Sequence, residues 1–122
     1  MKNFIFDLDG TLVDSGSSIK KCLAEAFQLN KIEPKIPFSS IRIGPSLDDI
    51  LRSLLPYSHN VLFGSIKSSF IEFYDQQFCT DCVLYPNTEQ ILLKVSNSRD
   101  LFLVTNKRYI PTIKILKHFK IF

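Results

Sequence analysis

The stretch Phe4-Ile5-Phe6-Asp7-Leu8-Asp9-Gly10-Thr11 decides the fold of this 122-residue chain. Its apolar start does not alternate with polar residues, which is typical of a strand buried on both faces of a parallel sheet. Two carboxylates, Asp7 and Asp9, follow at the end of that strand. Because ligands of open α/β sheets bind beyond the carboxyl ends of the strands, this stretch predicts a functional site.

A second apolar run, Leu101 to Val104, has the same character and is followed by Thr105 and Asn106. Since both runs end in polar side chains, we expect two parallel strands whose ends share one site. Roughly 90 residues separate the runs, whereas a simple strand–helix–strand crossover takes about 30. The excess predicts a helical module inserted after the first strand.

Apolar residues recur at helical spacing in several segments of the chain, each of which predicts an amphipathic helix. We expect Ser17 or Ser18 to cap the first helix and Ser46, with Asp49 three residues on, to cap the second. The five predicted helices cover residues 19–27, 47–55, 62–77, 88–96 and 110–119.

The composition excludes several classes of protein. The chain is 45% hydrophobic and 22% charged, which is ordinary for a globular protein. The net charge of +3 comes from scattered lysines and arginines rather than a basic stripe, so no nucleic-acid partner is expected. No run of about 18 apolar residues occurs, so no membrane span is expected. An odd number of cysteines, three, favours a reducing cytoplasm over a disulfide framework.

Two carboxylates close together at a strand end are costly to bury unless a cation or a catalytic role compensates. Asp7 is the candidate nucleophile that would form an aspartyl-phosphate, and Asp9 is the candidate general acid and base. Mg²⁺, which prefers oxygen ligands, would hold both carboxylates and the phosphate. Gly10 would let turn amides face the phosphate oxygens. The alternative interpretation is an Asp-rich turn after an edge strand, in which Asp-Gly is ordinary turn chemistry.

The longer string from Phe4 to Ser15 closely resembles the first motif of the haloacid dehalogenase-like hydrolases, and especially that of their phosphoglycolate phosphatase-like branch. Val104-Thr105-Asn106-Lys107 resembles the second motif of that branch. Ile43-Gly44-Pro45-Ser46-Leu47 resembles the substrate-loop segment of its cap, and Tyr85-Pro86 resembles the return to its core domain. These segments follow one another in the order of the family.

The resemblance implies an α/β fold: an incomplete parallel sheet in a Rossmann-like core, residues 1–14 and 83–122, and an inserted helical cap, residues 15–82. It also implies Mg²⁺-dependent hydrolysis of a phosphate monoester, a small phosphorylated metabolite, through Asp7 and Asp9. The dehalogenases and phosphonate hydrolases of the superfamily lack an Asp at the place of Asp9. Phosphatase is therefore favoured, and phosphomutase remains an alternative.

The resemblance further implies the residues of the site, with the hydroxyl of Thr105 on the substrate phosphate. The metal ligands would be Asp7 and Asp9. The phosphate-binding residues would be Gly10, Thr11, Thr105, Asn106 and Lys107. The substrate loop would consist of Arg42, Ile43, Gly44, Pro45 and Ser46.

The family has a third motif with a lysine and a fourth with acidic metal ligands, and the 122 residues contain neither. Since oriented charge supplies much of the acceleration of phosphoryl transfer, we expect this chain alone to be a poor catalyst. The competing hypothesis is a non-catalytic remnant that keeps a phosphate-binding, metal-binding or interaction surface. In the family a later strand lies beside the first strand, so its open edge predicts self-association or a complementing partner.

Overall fold

The computed structural model describes residues 3–77 and 81–121. In those residues, two 3₁₀ turns, Phe38–Ser40 and Tyr57–Leu62, accompany four short strands and five helices. The strands and helices are β1 (Asn3–Phe6), β2 (Val13–Asp14), α1 (Gly16–Leu29), α2 (Leu47–Leu54), α3 (Phe63–Gln77), β3 (Val83–Leu84), α4 (Thr88–Ser96), β4 (Asp100–Leu103) and α5 (Tyr109–His118). The α/β class is confirmed. No described helix is long and apolar enough to cross a membrane.

β1 and β4 form the parallel pair that the two apolar runs predict. Phe6 and Leu103 lie side by side and pack into an apolar cluster with α4 and α5. Ile5 and Phe102, also paired, lie on the opposite face and are more than half exposed. The prediction of strands covered on both faces is therefore wrong for the described part of the chain, because no described element packs on that second face.

The buried apolar side chains form two separate clusters. The larger cluster joins α1, α2 and α3 and contains Leu23, Phe27 and Leu51. The smaller cluster lies between the parallel strands and α5 and contains Leu8 and Ile115. We call α1 to α3 with their 3₁₀ turns the helical module, and the strands with α4 and α5 the sheet module.

β2 and β3 form a two-residue antiparallel pair that no sequence pattern predicts. Val13 pairs with Leu84 and Asp14 pairs with Val83, so the two connections between the modules run side by side. The domain boundaries predicted after residues 14 and 82 fall at this pair, and they remain a prediction from the sequence.

The predicted capping residue of α2 agrees with the structure, and that of α1 does not. The Ser46 hydroxyl accepts a hydrogen bond from the Asp49 amide at 3.3 Å and caps α2 as predicted. α1 begins earlier than expected, with Ser15 at its N-cap position and no side-chain cap. Capping by Ser17 or Ser18 is therefore wrong. The Ser15 hydroxyl does not cap the helix either, because it donates to a carboxylate of the candidate site.

We expect Leu23→Ala to lower the free energy of unfolding by about 2–5 kcal/mol, because the truncation leaves a cavity in the helical module. Leu29→Ala removes the same atoms from an exposed position of the same helix and should change stability by less than about 0.5 kcal/mol. Urea unfolding followed by circular dichroism measures both variants. An equal loss in the two would contradict the placement of α1.

Candidate functional site

The chain turns sharply after β1 and places Asp7 and Asp9 at the carboxyl end of the parallel pair. Gly10 has a φ of +79°, the left-handed region that favours glycine. Its amide donates to the Val13 carbonyl at 2.9 Å, and the Thr11 amide donates back to the turn at 3.2 Å. These two amides, expected to face a phosphate, are thus used to close the turn in this conformation.

Asp7 is exposed at the end of β1. Its Oδ1 accepts a hydrogen bond from the neighbouring Leu8 amide at 2.7 Å. This bond from the backbone of the next residue orients the Asp7 carboxylate. The side chain therefore remains accessible to a ligand arriving at the carboxyl end of the sheet.

Asp9 and Lys107 form a nearly buried ion pair. Lys107 Nζ lies 3.2 Å from Asp9 Oδ2, and the two side chains are only 7% and 10% exposed. Asp9 Oδ1 accepts a hydrogen bond from the Ser15 hydroxyl. Burial lowers the pKa of the Lys107 ammonium, and the neighbouring Asp9 carboxylate opposes that shift. The ion pair connects the loop after β1 to the loop after β4. This is the arrangement expected if the two parallel strands end at one site.

Three consecutive residues after β4 contact the helical module. Each uses its side chain as a hydrogen-bond donor, and the last makes a half-buried ion pair. The contacts are Asn106 Nδ2 to the Gly44 carbonyl at 2.8 Å, Lys107 Nζ to the Tyr74 hydroxyl, and the Arg108 guanidinium to both carboxylate oxygens of Asp75. The loop after β4 is therefore fastened to the helical module at three points.

A pocket of about 60 Å³ lies between the two modules at this loop. Its polar wall comes from Asp9, Asn106, Lys107 and Arg108. The remaining wall is mainly apolar and includes Ile19, Leu47, Ile50, Phe70 and Pro111. Ordinary ligand sites have volumes of roughly 300–1,000 Å³, so the modules are closed on each other in this conformation.

The predicted substrate loop lies only partly at this pocket. Gly44 and Pro45 line it. Ile43 packs against the apolar cluster of the helical module, and Ser46 caps α2. Arg42 is exposed and does not line the pocket. The loop therefore presents its backbone turn, rather than its charge, to the other module.

Four of the remaining predicted residues, Asp7, Gly10, Thr11 and Thr105, do not line this pocket. Thr105 Oγ1 accepts a hydrogen bond from the Lys107 amide at 3.1 Å, which shapes the loop after β4. The closed arrangement thus brings together one of the two aspartates and two of the phosphate-binding candidates. It leaves the candidate nucleophile on the solvent side.

The sequence analysis does not single out Tyr74, Asp75 or Arg108. Tyr74 falls on the apolar face of α3 that is expected to be core, and it is indeed buried. Its hydroxyl is the signal that could have found it, since a buried tyrosine usually bonds a polar partner. The ion pair of Arg108 with Asp75 has no local signal, because its partners lie far apart in the sequence.

The oxygen ligands for a divalent cation are few. Within residues 3–77 and 81–121, no group of three or more His, Cys, Asp or Glu side chains could hold a metal. Asp7 offers an exposed carboxylate, whereas both oxygens of Asp9 are engaged by Ser15 and Lys107. Mg²⁺ is commonly bound by one or two carboxylates together with waters and phosphate oxygens. The donor set therefore fits a Mg²⁺ held through Asp7 when a phosphate is present.

The model of the haloacid dehalogenase-like hydrolases matches residues 4–122. No curated protein matches the chain. A haloacid dehalogenase-like hydrolase from Streptococcus pneumoniae has a TM-score of 0.85 and 22% identity, covering 99% of this chain and 57% of that one. A predicted phosphatase from Clostridium acetobutylicum has a TM-score of 0.82 and 23% identity, covering 98% and 56%. A predicted phosphoglycolate phosphatase from Haemophilus somnus has a TM-score of 0.79 and 24% identity, covering 96% and 56%.

At these identities the solved structures show a shared fold. The chain spans only 56–57% of the length of the three proteins. The family model, in contrast, covers all but the first three residues of the sequence. The chain therefore belongs to the haloacid dehalogenase-like hydrolases.

Proposed function

We propose that this chain carries the nucleophile and proton-transfer groups of a phosphatase that hydrolyses a small phosphorylated metabolite. One observation carries the proposal. Asp9, which forms a nearly buried ion pair with Lys107, lies two residues after Asp7 with its exposed carboxylate, where β1 and β4 end. Charged groups held away from water cluster at functional sites, because their burial is costly and otherwise unrewarded.

The proposed reaction has two steps. In the first, an Asp7 carboxylate oxygen attacks phosphorus, the bond to the leaving oxygen breaks, and Asp9, which must enter this step protonated, gives that oxygen its proton. In the second, water attacks the aspartyl-phosphate and passes a proton to the Asp9 carboxylate; the bond between phosphorus and Asp7 breaks, inorganic phosphate leaves, and Asp9 is protonated again. Because both oxygens of Asp9 are hydrogen-bonded in the closed arrangement, one of those bonds must be exchanged for a bond to the substrate.

The cofactor that we propose is Mg²⁺, with Asp7 as its first ligand and Asp9 as the second candidate. When bound, the ion would neutralise negative charge on the transferring phosphoryl group. The protein's own cation at this place is the ammonium of Lys107, which together with Asn106 and the Thr105 hydroxyl would meet the phosphate oxygens. We also propose the cytoplasmic location that the number of cysteines predicts.

The substrate that we propose is compact. The wall of the pocket from the helical module is mainly apolar, so it offers few polar partners to a large and polar substrate. One structural neighbour is named a predicted phosphoglycolate phosphatase. Phosphoglycolate is a small phosphate monoester of this class. A phosphomutase would share the first step and differ only in the acceptor of the phosphoryl group.

The second candidate function is phosphate binding without catalysis. The observation that favours it is the full engagement of the Asp9 carboxylate by Ser15 and Lys107, which leaves Asp7 as the accessible carboxylate of the pair. A site of this kind would bind a phosphate at Lys107 and Asn106 but would lack a group that can protonate the leaving oxygen.

We expect Asp7→Asn to lower Mg²⁺-dependent hydrolysis of an aryl phosphate by more than about 100-fold, because the amide cannot act as nucleophile. Asp100→Asn is the matched control, since Asp100 is exposed at the opposite end of β4. Chelation of the metal should also stop hydrolysis, and added Mg²⁺ should restore it. Unchanged hydrolysis by Asp7→Asn would refute the proposal, and a folded but inactive wild-type chain would favour the second candidate.

We expect Asp9→Asn to lower the free energy of unfolding near neutral pH by about 3–5 kcal/mol, because it leaves the Lys107 ammonium buried without its carboxylate. The pKa of Lys107, already lowered by burial, should fall further when the opposing charge is removed. Asp49→Asn, which breaks an exposed ion pair with Arg52, should leave stability almost unchanged. Urea unfolding compares the two. Equal effects would show that the pair is not buried in solution.

We also propose that the open face of the sheet module contacts another polypeptide. Ile5, Phe102 and Val104 on this face are more than half exposed. Open sheet edges and exposed apolar faces pair with other chains. The partner is either a second copy of this chain or a different, complementing chain that covers the same face.

Light scattering should therefore show the 122-residue polypeptide, taken by itself, above its monomer mass of 14.0 kDa. Val104→Lys should shift it to the monomer, because a charge on the open face opposes pairing. Val61→Lys, at an exposed valine of the helical module, should not. A compact wild-type monomer at high concentration would count against this contact surface.

A further inference from the structure

Tyr74 of the helical module contacts a charged group of the candidate site. It lies on α3, is 1% exposed, and its ring stacks on Phe70 with centroids 5.3 Å apart. Lys107 Nζ donates a hydrogen bond to its hydroxyl and lies 4.2 Å from the centre of its ring. A side chain packed in this way has little freedom, so its hydroxyl marks a fixed point at the wall of the pocket.

Lys107 needs such a fixed point. A lysine ammonium sits at the end of a flexible four-carbon stem and has three donors, so its position is set by the groups that accept from it. One acceptor is Asp9 Oδ2 in the sheet module, and another is the Tyr74 hydroxyl in the helical module. With two donors placed in this way, the third has a defined direction.

The other links between the modules act on the neighbours of Lys107. Asn106 donates to the Gly44 carbonyl, and Arg108 pairs with Asp75. These contacts hold the loop after β4 against the helical module, but they do not touch the ammonium. Tyr74 thus makes a contact of a different kind, because it bonds the cation that is paired with the proton-transferring carboxylate.

We propose that Tyr74 is a positioning residue of the phosphatase reaction and acts through Lys107. Its hydroxyl holds the ammonium beside Asp9 so that the charge meets the phosphoryl group in the right place only when the helical module is seated on the sheet module. This inference rests on the proposed function of the site. It assigns to the inserted module a part in placing charge, in addition to enclosing the substrate.

The test is Tyr74→Phe, which removes the hydroxyl and keeps the ring that stacks on Phe70. We expect kcat for an aryl phosphate to fall about tenfold, the effect of losing one hydrogen bond to a charged group. KM should change by less than about twofold, because the lost interaction orients charge rather than binds substrate. Tyr57→Phe is the matched control, since Tyr57 belongs to the same module and is almost fully exposed.

A double-mutant cycle separates positioning from a merely structural role. If Tyr74 acts through Lys107, then Tyr74→Phe in a Lys107→Met background should lower kcat by less than about twofold. A structural contribution of Tyr74 would instead lower activity equally in both backgrounds. An equal loss in the two backgrounds, or no loss in the single variant, would overturn the inference while leaving the proposed function intact.

A measurement on the wild-type chain keeps the inference testable even if Tyr74→Phe does not fold. A buried ammonium held by two acceptors exchanges its protons slowly, so a proton–nitrogen correlation spectrum should show a lysine side-chain signal that Lys107→Met removes. The absence of that signal would overturn the placement of Lys107. If the wild-type chain shows no hydrolysis that depends on Asp7, the proposed function fails first and the inference falls with it.

Discussion

A lysine ammonium held away from water is the constraint on which the arrangement of the two modules depends. Moving a charge out of water is costly, and only partners of good geometry offset that cost. Lys107 finds a carboxylate in the sheet module, Asp9, and a hydroxyl in the helical module, Tyr74. The loops after β1 and β4 must therefore meet, and α3 must lie over them, for this one charge to be satisfied.

The same carboxylate also ties the site to the start of the helical module. Asp9 accepts from Ser15, which stands at the N-cap position of α1. A displacement of α1 or α3 would thus be felt at Asp9 from two directions, through Ser15 and through Lys107. The half-buried pair of Arg108 with Asp75 adds a third link close by. The proposed chemistry and the relative position of the modules are coupled because they use the same few polar groups.

Local sequence predicts the elements well and the contacts between them poorly. The two apolar runs predict β1, β4 and their parallel pairing, and helical spacing places α2, α3, α4 and α5 within a residue or two. The role of Tyr74 could not be predicted, because its neighbours in the sequence make it look like core. The apolar run of β1 predicts burial on both faces. The hydrophobicity of a strand indicates that it packs against other elements, but it does not identify those elements. The short pairing of Val13 with Leu84 is below the length at which any strand pattern becomes visible.

That short pairing has a consequence for how such proteins diversify. Because the chain leaves and returns to the sheet at two hydrogen-bonded neighbours, everything between them behaves as a cassette with its ends already joined. Exchanging the cassette for one of another size or sequence requires no change in the register of β1 with β4. A lineage can therefore change the helical module, and with it the apolar wall of the pocket, while the aspartate at the end of β1 stays where it is.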